Sequence, residues 1–182
     1  DSIVESRREL APCSYCGVLR RRATNEAAKI VKANVVATAH NLDDEVQTFM
    51  LNLFHGDVKR IARVKPVLSD PRGRFLRRVK PLCEVVEKEV ALFAYLTGIR
   101  FQSMPCPYMS TSLRNEMRSM LNRMEAKHSA GTKYTAYRSM EKLREMLEKS
   151  MVCAELSNCR FCGEPTVADV CEVCNLLGKL EI

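Results

Sequence analysis

VVATAHNLDDEVQTFMLNLFHG, residues 35–56, is the stretch on which the fold turns. Its opening VVATA, at 35–39, is a continuous β-branched apolar run, the pattern of a strand buried on both faces of a parallel sheet. From Leu42 to Phe54 the residues Leu42, Val46, Phe49, Met50 and Leu53 recur at helical spacing, and Gly56 stands past the end. Upstream, 17–33 reads as a helix with Leu19, Ala23, Ala27, Ile30 and Val31 on one face, and Asn34 is suited to the left-handed conformation that closes a helix. Helix, strand and helix joined by short turns predict an α/β sheet with right-handed crossovers.

Downstream the pattern predicts three more helices. At 84–97, Val86, Val90, Phe93, Ala94 and Thr97 would face inward. At 112–127 the inner face would be Leu113, Met117, Met120, Leu121 and Met124, and at 134–151 it would be Met140, Leu143, Leu147 and Met151. IRFQSM, at 99–104, alternates as a half-buried strand does. From Ser157 the period is lost and a cysteine-rich tail begins, so the expected division is an α/β region over 1–151 and a small module over 157–182. With 182 residues, 46% hydrophobic and 28% charged, the chain is an ordinary globular one rather than a disordered one. No run has the apolar length of a membrane span, and the opening DSIVESRREL lacks the apolar core of a signal peptide. A cytoplasmic setting without membrane association is expected.

Nine cysteines are an odd number, and six of them form C-x-x-C pairs: Cys13/Cys16, Cys159/Cys162 and Cys171/Cys174. The last two pairs stand eight residues apart, each followed by a residue tolerant of positive φ, Gly163 and Asn175. Four thiolates at this spacing predict a closed tetrahedral Zn²⁺ site, whose binding energy would fold a tail poor in large apolar residues. Cys13 and Cys16 have no second pair nearby. They lie at a helix start, close to Arg20, Arg21 and Arg22. Their candidate third partner is Cys106, in the loop MPCPY after the expected strand. Loops of that kind surround the active-site crevice of an α/β sheet. On spacing alone, a redox pair, a structural zinc site and an iron–sulfur cluster compete. Cys83 and Cys153 read as ordinary core thiols.

His40, Asp43, Asp44 and Glu45 mark the start of the helix after the strand. By pattern they are acids gaining from the helix dipole beside a strand-end histidine. Between 57 and 80 there are nine Lys or Arg against two Asp, within a net charge of +7 for the whole chain. Arg77, Arg78 and Lys80 from that run, with Arg114 and Arg118 four apart on one helix face, are the candidate phosphate contacts for an RNA partner. An aromatic content of 6% without Trp favours recognition by shape over base stacking.

Taken together, CSYCGVLRRR (13–22), ATAHNLDDEVQTFMLN (37–52), GDVKRIAR (56–63), RRVKPLCEVVEKEVALFAYL (77–96), PCPY (105–108) and the final CRFCGEP and CEVC resemble the TtuA/Ncs family of tRNA 2-thiouridine synthetases. The resemblance spans essentially the whole chain and implies a Rossmann-like adenine-nucleotide α-hydrolase (PP-loop) sheet with added helices and a C-terminal zinc ribbon. It implies a sulfurtransferase that adenylates the C2 oxygen of a tRNA uridine with ATP and Mg²⁺ and lets sulfur displace AMP. It makes Cys13, Cys16 and Cys106 the ligands of a 4Fe–4S cluster with one open iron. It places Asp44 at the reacting groups, with His40 and Asp43 beside it, and puts Arg20 where members commonly carry a catalytic Lys. The implied partners are tRNA, a sulfur donor (sulfide or a ubiquitin-like thiocarboxylate protein) and a second copy in a homodimer. The family's N-terminal zinc module and SGGxDS phosphate loop do not occur in these 182 residues, so a C-terminal part of such an enzyme is the expectation. The alternatives are a non-catalytic, metal-stabilised RNA-binding fragment and a related thiolase acting on tRNA cytidine.

Overall fold

A computed structural model describes residues 12–68, 73, 75–110, 112–128, 130–150 and 156–179. Met151 and Cys153, and Arg72 and Arg74 of the nine cations over 57–80, lie outside these residues. The chain is mixed α/β and divides into two compact units. One unit joins the segment before residue 37 to the C-terminal segment from Val152, together with 69–77; the other comprises 37–68 and 78–151. The sequence-based division between 151 and 157 cuts the chain differently, because the first helix packs on the cysteine-rich tail.

In the first unit, helix α1 (Pro12–Ile30) buries Tyr15 and Val18 against Leu176 of helix α7 (Glu172–Lys179). The expected apolar face of α1 is not the buried one: Ile30 is 81% exposed and Val31 is exposed with it. The eight residues of α7 span about 12 Å, and the buried apolar contact is made by Tyr15 and Val18 near the start of α1. The chain leaves α1 through Lys32, at φ 52°, rather than through Asn34. A two-stranded antiparallel ribbon, β4 (Ser157–Asn158) with β5 (Pro165–Thr166), precedes α7.

The second unit is organised around helix α2 (Leu42–Phe54), which forms where the sequence predicts it. Asn41 caps it: the side chain accepts from the Asp44 amide at 3.0 Å, and the Asp44 carboxylate accepts from the Asn41 amide at 3.2 Å. This reciprocal pair satisfies two donors at the helix start. After the helix, Gly56 turns the chain at φ 65°, a region costly for any residue with a Cβ. Leu42, Val46 and Phe49 meet Ile61 of helix α3 (Val58–Ala62), Val64, Leu121 of helix α5 (Leu113–Lys127), and Tyr137 and Met140 of helix α6 (Thr132–Ser150). The inner row of α6 is Lys133, Tyr137, Met140 and Leu147, and Leu143 lies outside it. On α5 the buried residues are Met117 and Leu121, whereas Leu113 and Met124 are exposed.

Three short strands stand in the order β1 (Val35–Ala37), β3 (Arg77–Val79), β2 (Val67–Leu68). β2 and β3 are antiparallel, with Val67 opposite Val79. The expected strand buried on both faces is therefore a shorter one, in which only Val36 is buried. Its line continues in the Thr38 amide, which donates to the Val79 carbonyl at 2.9 Å. Helix α4 (Glu87–Leu96) has no fully buried residue, and Phe93 is 63% exposed. Its half-buried row is Val86, Val90 and Ala94, narrower than the face the sequence suggests. Residues 99–104 form no strand and are exposed throughout, since alternation makes a strand only where a neighbour supplies a ladder. No helix among the described residues is long and apolar enough to cross a membrane. Truncating Met140 to Ala is expected to lower stability by about 2–5 kcal/mol, as for other fully buried Met positions, read by urea unfolding.

Candidate functional site

The four C-terminal cysteines converge. The Sγ atoms of Cys159, Cys162, Cys171 and Cys174 all lie within 4.8 Å of one another. The first knuckle closes as its sequence predicts: the Gly163 amide donates to the Cys159 carbonyl at 2.8 Å with Gly163 at φ 71°. The second differs, because Cys174 and Asn175 belong to α7 and Asn175 keeps a negative φ. The helix start supplies the turn instead, the Cys171 amide donating to Cys159 Sγ at 3.3 Å and the Cys174 amide to Cys171 Sγ at 3.5 Å. The Cys171 amide, reinforced by those of Cys162 and Phe161, brings the Cys159 thiol down to about 6. The neighbouring Cys162 thiol, with burial and the remaining thiols, pushes Cys174 up to about 12. Four thiolates so close can ionise together only around a cation, and an all-sulfur set of four suits a structural divalent ion.

Cys13 and Cys16 lie in the opening turns of α1 and are both exposed. One turn of helix, about 3.6 residues, puts them on one face. Cys106 belongs to the second unit, in an exposed loop where its carbonyl accepts from the Met109 amide at 2.9 Å. Arg20 is exposed on α1.

The three carboxylates at the start of α2 separate into different roles. Asp43 and Glu45 are each 2% exposed. Asp43 Oδ1 meets Lys133 Nζ at 2.5 Å, and its Oδ2 accepts from the Glu87 amide at 2.8 Å. Lys133 completes its three donors on Glu125, at 3.0 Å, and Asn122, at 2.7 Å. Glu45 receives Lys80 at 2.8 Å on both oxygens. Asp43 and Lys80 are thereby committed to holding the fold: Asp43 is not an open ligand beside Asp44, and Lys80 is not an open phosphate contact. Asp44 alone remains partly open, with Arg114 Nη1 3.9 Å from its Oδ1. Arg114 also donates to Thr48 at 2.9 Å, and Arg118 to Asn115 at 2.9 Å. His40 is exposed, with Nδ1 2.8 Å from Thr38 Oγ1. Desolvation beneath its ring lowers its imidazole, against a partial upward pull from Asp44, which keeps it mainly neutral at pH 7. Arg77 is exposed on β3. Lys133 carries no signal in the sequence; an isolated Lys on a helix reads as surface, and only the convergence of three helices on it shows otherwise.

A family model described as a PP-loop domain matches residues 18–125, more than half of the chain. The chain belongs to the PP-loop family. This PP-loop chain is 36% identical to the tRNA 2-thiolation protein NcsA of Haloferax volcanii, over 100% of its own length and 59% of that protein. It is 35% identical to the tRNA-5-methyluridine(54) 2-sulfurtransferase of Pyrococcus horikoshii, over 94% of its length and 55% of that protein. Among solved structures it is similar to the U34-tRNA thiolase NcsA from Methanococcus maripaludis with its 4Fe–4S cluster. That match has a TM-score of 0.75 and 35% identity, covering 95% of this chain and 54% of that one. The PP-loop chain thus spans about half the length of the curated relatives it matches.

The Lys133 network makes a measurable demand. Burial alone would lower this ammonium, but the hydrogen bonds it donates to Asp43 and Glu125 overcome it and the net shift is upward. A raised folded-state value stabilises fully below the unfolded ammonium's range, and the contribution is lost as pH climbs through the folded value. Lys133→Ala is expected to cost about 3–5 kcal/mol at pH 7, because Asp43 is left buried and unpaired. It is also expected to remove part of the wild-type loss of stability at alkaline pH, both read by urea unfolding across pH.

Proposed function

We propose that this chain is part of a tRNA 2-thiolation enzyme. Its substrate is a tRNA uridine, and the whole enzyme works with ATP and Mg²⁺. The observation that carries the reading is the likeness over nearly the whole chain to a thiolase with a 4Fe–4S cluster, together with the exposed Cys13–Cys16 pair. In the first step the C2 oxygen of the uridine attacks the α-phosphorus of ATP, and pyrophosphate leaves. In the second, a sulfide nucleophile forms the C2–S bond as the C2–O bond breaks, and AMP leaves with the electron pair.

Cys13, Cys16 and Cys106 are the residues that would hold the cluster, their thiolates being the donors such a group requires. When bound, a cluster held by three thiolates supplies an iron without a protein ligand, a Lewis acid for sulfide. Asp44 orients the magnesium-nucleotide or the base, since its neighbours Asp43 and Glu45 are already spent on Lys133 and Lys80. Arg20, permanently charged, balances negative charge on the phosphates rather than moving a proton. Zn²⁺ is the ion proposed for the four-cysteine site, His40 lies beside the nucleotide, and Arg77, Arg78, Arg114 and Arg118 face the tRNA backbone. The sulfur enters as sulfide or from a ubiquitin-like thiocarboxylate protein, and the enzyme assembles as a homodimer.

The test uses the intact enzyme, reconstituted anaerobically. Cys106→Ala is expected to lose iron and thiolation together, whereas Asp44→Ala keeps its iron and loses about 100-fold in rate, measured as 2-thiouridine in tRNA digests. Full cluster and full activity in Cys106→Ala would overturn the assignment; 2-thiocytidine as the product would select the cytidine reading, and tRNA binding without any thionucleoside the non-catalytic one. For RNA binding, Arg77→Gln is expected to flatten the slope of log K against log salt by roughly 0.7–0.9. Lys80→Gln should instead lower stability, because its ammonium belongs to Glu45.

A further inference from the structure

We propose that the four-cysteine module is a clamp on the Cys13–Cys16 turn, and that Tyr15 is the positioning residue through which metal occupancy of the module governs metal retention at that turn. The inference rests on the reading of Cys13 and Cys16 as cluster ligands. Tyr15 stands between them in sequence and is 2% exposed, packed with Val18 against Leu176, with Val173 alongside. Helical geometry, about 100° per residue, places Cys13 and Cys16 about 60° apart on the face turned away from Tyr15. Burying the Tyr15 ring therefore decides that both thiols point outward, as they do.

The surface that receives the ring is itself held by the metal ligands. Helix α7 starts directly after Cys171 and carries Cys174 in its first turn, so Val173 and Leu176 flank the site's own donors. The first knuckle grips the same helix further along. Arg22 Nη1 lies 3.8 Å from Cys162 Sγ and 3.6 Å from Glu164, and Glu164 also pairs with Lys29. Both knuckles thus bear on α1, one through apolar packing and one through charge. A module of this size takes its folding energy from its metal. Loss of the ion releases α7 and the first knuckle together, and the start of α1 loses the packing that orients its two cysteines. Linkage makes the effect mutual: iron bound at the turn strengthens zinc binding at the module by the same factor. The Tyr15 hydroxyl has no hydrogen-bond partner among the described residues, so the ring is what positions the turn.

The experiment has two arms on the full-length protein. The first, without iron, follows amide hydrogen exchange of residues 13–22 with zinc bound and after zinc is stripped. Stripping is expected to speed exchange about tenfold in wild type and in Tyr15→Phe. Tyr15→Ala should exchange fast already, with residues 113–127 unchanged as the control for folding. The second arm reconstitutes the cluster anaerobically and follows iron loss to a ferrous chelator. Tyr15→Ala and Cys171→Ser are expected to lose iron about tenfold faster, the double variant no faster than either, and Tyr15→Phe at the wild-type rate. Unchanged exchange on stripping, or wild-type iron retention in Tyr15→Ala, overturns the clamp. Retention of iron in Cys13→Ala overturns the cluster reading instead, and the exchange arm then decides the clamp by itself.

Discussion

A lysine ammonium and an aspartate carboxylate, both removed from water, fix the start of the central helix of the larger unit. Asp43 is reached by Lys133 from α6 and by the Glu87 amide from α4, and Lys133 in turn draws in Glu125 and Asn122 from α5. Four helices therefore share one buried electrostatic knot. Ion pairs of this kind add little net stability over apolar packing of the same shape, but each member becomes indispensable once the other is buried. Every donor of Lys133 and both oxygens of Asp43 have directed partners, so the packing of α2 against α5 and α6 has one satisfied arrangement and its slipped neighbours leave a charge stranded.

That knot and the separate Lys80–Glu45 pair leave one of three adjacent acids open. Asp43 and Glu45 point into the protein and are neutralised there, while Asp44 turns outward, half tied by the Asn41 cap and facing Arg114. Asp44 is thereby the one carboxylate of the three left partly open, on a capped helix start. The neighbouring cationic groups divide in the same way. Lys80 is a structural counter-ion, whereas Arg77 is exposed.

The smaller unit solves a different problem. Among its described residues, Tyr15, Val18 and Leu176 form a small cluster of buried apolar side chains. Its organisation comes from four converging sulfurs and from Arg22, Lys29 and Glu164, which tie the first knuckle to α1. A helix bearing two exposed thiols is thereby fixed to the four-cysteine module.

Whatever depends on local spacing was legible in the amino-acid sequence alone. The helix over 42–54, the cysteine quartet, the α/β class and the family resemblance all follow from residues close together in the chain, because capping, periodicity and C-x-x-C geometry are short-range. It did not determine which face of a helix is covered. Ile30, Val31, Phe93 and Leu143 look inward by period and are exposed. Nor did it separate Asp43 from Asp44, or distinguish Lys80 and Lys133 from solvated lysines. Adjacent carboxylates look alike until a cation about ninety residues away selects one of them. Burial and ion pairing are long-range properties, set by how helices far apart in the chain pack together.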